Sequence, residues 1–84
     1  MNTTFSPNAW DEYLYWQMHD KKILRKVNEL IKQCKRTPFE GIGKPEPLKN
    51  ELSGYWSRRI DHEHRFVYRV EKGVLHIAQC RHHY

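Results

Sequence analysis

The sequence predicts an α+β fold, an N-terminal helical hairpin packed on a small antiparallel sheet, in a single domain spanning residues 1–84. Three observations predict it. Apolar residues recur at three- and four-residue spacing as far as Cys34. A Gly- and Pro-rich stretch follows, and after Gly54 the apolar period changes to two. A chain of 84 residues makes one domain. It is too short for a cofactor-binding domain beside a substrate domain.

Residues 1–5 carry only a weak strand signal, so an edge strand there is an open question. Ser6-Pro7 reads as a helix start, with Ser at the N-cap and Pro in the first turn. From there Ala9, Trp10, Tyr13, Leu14 and Gln17 predict one apolar face, and the helix ends near His19. Asp20 is suited to cap a second helix whose apolar face is Ile23, Leu24, Val27, Leu30, Ile31 and Cys34. Its opposite face carries Lys21, Lys22, Arg25, Lys26, Lys32 and Lys35. Two helices joined this tightly predict a hairpin. Thr37-Pro38 stops the second helix, and the Gly and Pro residues from 38 to 49 predict a loop of fixed shape. Strands are expected at 55–60, 65–70 and 74–81, with turns at Asp61-His62-Glu63 and Lys72-Gly73. Short turns make this an antiparallel meander of three strands, or four with the N-terminal segment.

Charge and cysteine content narrow the function classes. The net charge is +5, with no lysine or arginine in residues 1–20 and seven in residues 21–36. Such an excess points to a polyanion: nucleic acid, a ribosome or an acidic protein partner. No apolar stretch approaches the roughly 18 residues of a membrane-spanning helix, and the first residues have no signal-peptide pattern. Two cysteines, Cys34 and Cys80, are too few for a disulfide scaffold, so a reduced, cytoplasmic chain is expected.

Alternation places Arg59, Arg65 and Arg69 on an outward sheet face, a seat for a phosphate backbone or merely a solvated surface; Arg58 is open to the same bland reading. Pro45-Glu46-Pro47 holds a carboxylate on stiff backbone. That favours a general base, although an ordinary glutamate is too acidic for the task unless its surroundings raise its pKa from about 4.3. His83 neighbours the ring and α-carboxylate of Tyr84, and a nearby anion favours imidazolium, the form of a general acid. Cys80, His82 and His83 are close in sequence, but no second Cys/His pair stands at zinc-site spacing, which argues against a metal. Gly41 and Gly43 make no nucleotide fingerprint, so no cofactor is expected. Glu46, Lys49, Arg59, Arg65, His83 and Tyr84 together suggest metal-free cleavage at an RNA linkage, where the 2′-hydroxyl is the nucleophile. A basic RNA- or DNA-binding module without catalysis is the alternative.

The stretch from Pro38 to Lys49, then Leu52-Ser53-Gly54-Tyr55-Trp56-Ser57-Arg58-Arg59-Ile60, Glu63-His64-Arg65-Phe66-Val67-Tyr68 and the closing His83-Tyr84 resemble the YoeB/Txe toxins of the RelE-like superfamily of bacterial toxin–antitoxin systems. Trp10-Asp11-Glu12-Tyr13-Leu14-Tyr15-Trp16 is similar to them as well. The resemblance implies a RelE-like microbial RNase fold and a ribosome-dependent mRNA endonuclease that cuts transcripts in the ribosomal A site and arrests translation. It implies Glu46 as general base, Arg65 as the phosphate- and transition-state-binding cation, His83 as general acid, Tyr84 as the terminal catalytic tyrosine, and Lys49 and Arg59 as supporting RNA-binding cations. The partners it implies are a cognate YefM/Axe-like antitoxin, the ribosome and mRNA, operator DNA only as the toxin–antitoxin complex that represses its own promoter, and a second copy in a homodimer. No membrane partner is expected.

Overall fold

The computed structural model describes residues 1–84. In chain order it contains β1 (Asn2–Phe5), α1 (Pro7–His19), α2 (Lys21–Arg36), β2 (Glu46–Pro47), a 3-10 turn at Asn50–Leu52, β3 (Trp56–Arg59), β4 (Arg65–Glu71) and β5 (Val74–Gln79). The α+β architecture matches the expectation. The sheet is larger than expected and is mixed, with five strands in the order β1-β5-β4-β3-β2. β1 lies on one edge, parallel to β5, and β2 forms the other edge, antiparallel to β3. Both additions elude periodicity for physical reasons. β1 is a polar edge strand in which only Thr3 and Phe5 are half-buried. β2 is two residues long, and Pro47 has no N–H to extend the ladder.

The helix signals read locally hold. Ser6 Oγ accepts from the Ala9 amide at 3.1 Å, a cap generally worth about 1 kcal/mol. Asp20 serves two helices: its amide donates to Trp16 O, and its carboxylate accepts from the Lys22 and Ile23 amides at 3.1 Å each. The α2 face is buried as its spacing predicts, through Val27, Leu30 and Cys34. The face predicted for α1 is rotated from the observed one. Ala9 and Trp16 enter the core, whereas Trp10 and Leu14 stay largely exposed. Trp10 instead stacks on Tyr13 and meets Phe5 edge-on. Four aromatics within two turns, Trp10, Tyr13, Tyr15 and Trp16, give the helix two apolar stripes, and spacing alone does not say which one faces the sheet.

Phe66 and Tyr68 of β4 and Leu75 and Ile77 of β5 meet Val27, Leu30, Cys34 and Trp16 in the core. Opposed residues in antiparallel strands share a face, so Arg58 opposite Phe66 and Trp56 opposite Tyr68 also point to the helix side. The other face carries Glu46 opposite Ser57, Ser57 opposite Val67, and Val67 opposite Gln79. Arg59 and Arg65 pair on that face, one step along. The hairpin between β4 and β5 turns on Lys72 and Gly73, both at positive φ (51° and 74°), as a tight two-residue turn requires.

Candidate active site

Glu46 stands on the exposed edge, aimed by a loop that is pinned from beneath. The pin is Arg58, fully buried, which the alternation pattern had left as a possible solvated cation. Its guanidinium donates to the carbonyls of Thr37 (2.5 Å), Glu40 (2.9 Å) and Ile42 (3.1 Å), and through Nε to the Tyr68 hydroxyl (3.1 Å). The Tyr68 hydroxyl in turn donates to Pro38 O at 2.6 Å. A cation is tolerated there because three carbonyls and a hydroxyl accept from its guanidinium. Burial pushes the Tyr68 phenol up to about 12 and raises the neighbouring Cys34 thiol. Gly43 completes the fit. Its carbonyl accepts from the Arg59 amide at 2.6 Å, its φ is +82°, and a Cβ would stand 3.0 Å from Arg58 Cβ and 3.1 Å from Arg59 O.

The C-terminal residues are brought to the same face by a series of anchors. Trp16 Nε1 donates to Cys80 O at 2.8 Å, and the Cys80 amide donates to Glu12 Oε1 at 2.9 Å. The Arg81 guanidinium sits 3.5 Å from the Tyr15 ring centroid. The chain then bends at His82, whose φ is +66°. The His82 carbonyl accepts from the Arg65 amide at 2.9 Å and from Gln79 Nε2 at 3.0 Å. Two residues later the Tyr84 hydroxyl donates to Glu46 Oε1 at 3.1 Å, so the tail reaches from β4 and β5 to the β2 edge.

His83 packs on Tyr84 with ring centroids 4.7 Å apart, and its Nδ1 lies 3.0 Å from the Tyr84 main-chain oxygen. An oxygen can only accept, so Nδ1 carries the proton and Nε2 is left free for a substrate atom. The proximity of His83 to the Tyr84 ring and main-chain oxygen is therefore as read from the sequence. Arg65 is held by Nη1 donating to Asp61 O (2.8 Å) and His64 O (3.1 Å). Its other two guanidinium nitrogens, Nε and Nη2, make no hydrogen bond within the protein. Arg59 opposes Arg65 across the β3–β4 ladder and is exposed. Lys49 is exposed just beyond β2, and its side chain makes no hydrogen bond within the protein. The fold thus links Glu46 to Tyr84 and Tyr84 to His83 by direct contact, sets Arg65 beside the tail, and places Arg59 across the ladder from Arg65. Lys49 stands at the margin. Arg69, open to reading as a phosphate cation or a solvated one, is paired with Glu71, which raises its pKa further.

Two positions in this arrangement escaped sequence reasoning. Asp61 closes the turn before β4, accepting from the Glu63 and His64 amides at 2.9 and 2.7 Å. Partial burial pushes its carboxyl up, but the two amides and the neighbouring His64 and His62 outweigh it, and the net shift is downward. An Asp opening a turn is a readable signal for such bonds. His64 contacts the tail across eighteen residues of chain, and no local pattern reports that.

A family model described as the YoeB-like toxin of bacterial type II toxin–antitoxin systems matches residues 5–84. The chain belongs to this toxin family. Toxin YoeB of Escherichia coli (strain K12) is 62% identical over 84 residues, covering 100% of both chains. Toxin YoeB of Streptomyces coelicolor is 50% identical over the same full length. Among solved structures, a YoeB/ParE toxin from Agrobacterium tumefaciens superposes with a TM-score of 0.96 at 52% identity, covering 100% of each chain. A YoeB–YefM complex from Staphylococcus aureus superposes at 0.93 with 53% identity, covering 100% of this chain and 98% of the other. YafQ from E. coli, at 16% identity and a TM-score of 0.73, shares the fold.

Proposed function

We propose that this member of the YoeB-like toxin family is a ribosome-dependent mRNA endonuclease that works without a metal ion. The observation that carries the reading is the Tyr84 hydroxyl on the Glu46 carboxylate, 38 residues away in sequence, with the His83 ring packed alongside. A carboxylate, an imidazole with a free Nε2 and two arginines on one sheet face are the parts that cleavage by a 2′-hydroxyl needs. Glu46 takes the proton of the 2′-hydroxyl as that oxygen attacks phosphorus. Arg65, assisted by Arg59 and Lys49, balances the charge gathering on the phosphoryl oxygens. The bond from phosphorus to the 5′-oxygen breaks, and imidazolium His83 donates its Nε2 proton to that oxygen. Tyr84 directs Glu46 in the free protein and offers a ring for a base to stack on.

The products are a 2′,3′-cyclic phosphate and a 5′-hydroxyl. The net charge of +5 favours approach to the ribosome and binding of an acidic YefM-like antitoxin in the bacterial cytoplasm. Operator DNA is a partner only of the toxin–antitoxin complex, and a homodimer is in keeping with the YoeB dimer solved from S. aureus. Primer extension on an mRNA under translation tests the activity. Cuts within codons that appear only when ribosomes are present are the expected result; equal cutting of naked RNA would contradict ribosome dependence.

A further inference from the structure

The tail that carries His83 is bent at a residue in the left-handed region, and one side chain sits at that bend. The His82 amide donates to His64 Nδ1 at 2.8 Å. His64 is buried, its ring edge-on to Trp16 of α1 with centroids 4.8 Å apart and 6.0 Å from the His82 ring. Its backbone is fixed on both sides, because its amide donates to Asp61 and its carbonyl accepts from Arg65. An imidazole nitrogen that accepts a hydrogen bond carries no proton, so this geometry exists only with neutral His64, protonated at Nε2. Nε2 faces the Glu63 carboxylate at 3.7 Å.

We propose that neutral His64 is a positioning residue for the active site: by accepting the His82 amide at Nδ1 it sets the bend that delivers His83 and Tyr84 to Glu46, and protonation of its ring frees the tail. This rests on the reading of His83 as proton donor. A second proton on His64 would occupy Nδ1 and face the His82 N–H, two donors with no acceptor between them. The charged and titratable groups around the ring are Asp61 and Glu63 from its own turn, Arg65 at the start of β4, and His82 from the tail. His62 flanks Asp61 in the same turn, and α2 brings Lys22 and Lys26 to the cleft that Asp61 lines. α1 presents Trp16, which does not titrate. The tail's remaining tether at the bend, the His82 carbonyl, is unaffected by the state of His64, so release concerns direction rather than detachment.

Two substitutions separate positioning from packing. His64→Asn sets an amide oxygen near the former Nδ1, which accepts the His82 N–H and does not titrate. His64→Phe keeps the ring against Trp16 and has no acceptor. Amide hydrogen exchange of His82, read by NMR in the free protein from about pH 8 to pH 5, is expected to show protection in the wild type that disappears as the His64 ring carbons report protonation. His64→Asn stays protected throughout, and His64→Phe is unprotected throughout. In single-turnover cleavage at neutral pH on programmed ribosomes, His64→Phe loses up to about 100-fold in rate at saturating toxin, with its half-saturating concentration little changed. His64→Asn recovers most of that rate. Protection of the His82 amide in His64→Phe, or wild-type cleavage by that variant, would overturn the proposal. If the wild-type protein cuts nothing, the catalytic reading fails, while the exchange measurement still decides whether His64 holds the tail.

Discussion

At the scale of single residues, the proposed activity and the stability of the fold draw on different arginines. Arg65 and Arg59 face the open side of the sheet, whereas Arg58 is sealed beneath it. Glu46→Ala, Arg65→Ala and His83→Ala are each expected to relieve growth arrest when the toxin is expressed, with thermal unfolding within a few degrees of the wild type. Growth arrest that persists in all three variants would favour a basic RNA-binding module without catalysis. Arg58→Leu is expected to do the reverse in kind. It orphans the Thr37 and Ile42 carbonyls and leaves Glu40 O with the Thr37 hydroxyl alone, and at about 1–3 kcal/mol for each unpaired buried group the loss is several kcal/mol, measurable by urea denaturation. Stability within about 1 kcal/mol of the wild type would contradict the role given to Arg58. The sequence displays Arg58 and Arg59 as equals. Alternation puts them on opposite faces, but it does not report that a Gly- and Pro-rich loop aims three carbonyls at one of them.

At the scale of elements, the site is built from a loop, a turn and a tail, each tied to the sheet by backbone bonds. Gly43 is where the loop comes closest. Gly43→Ala forces a Cβ against Arg58 Cβ and Arg59 O at a φ of +82°, so we expect a loss of roughly 1–3 kcal/mol in stability together with weakened cleavage, because β2 and Glu46 follow directly. Unchanged stability in this variant would show that the loop relaxes without cost. The regular elements were legible where a signal is local: the Ser6 and Asp20 caps, the α2 stripe and the Lys72-Gly73 turn. The α1 face was misread because its aromatics form two stripes, and the two edge strands were missed or left open because one is polar and the other is two residues long. The tail's route over the sheet depends on Glu12, Tyr15, Trp16 and His64, all distant in sequence, so His83 and Tyr84 could be picked out as candidates while the path that delivers them to Glu46 could not.

At the scale of the whole molecule, the pH dependence of stability follows from groups that are not catalytic. The folded state raises Tyr68 to about 12 from an ordinary value of 10.0. Its contribution is complete below pH 10 and declines as the pH rises toward about 12, where the folded phenol ionises as well. Asp61 behaves oppositely. Its carboxyl is lowered from 3.8, so its contribution is present above that value and is lost as the pH falls through the lowered one. Unfolding free energies followed into alkali should therefore fall beyond pH 10, and Tyr68→Phe should flatten that fall; an equally steep decline in the variant would assign it elsewhere. Free thiols should resist modification in the native protein, since Cys34 and Cys80 are buried and burial pushes Cys80 up to about 12.

Glu46, Arg65 and His83 are proposed to act together at one RNA linkage. Mass spectrometry of the fragment ends produced from ribosome-bound mRNA tests this most directly. A 2′,3′-cyclic phosphate on the upstream fragment and a 5′-hydroxyl on the downstream one, both absent with His83→Ala, are the predicted result; 5′-phosphate ends, or undiminished cyclic-phosphate formation by that variant, would contradict it.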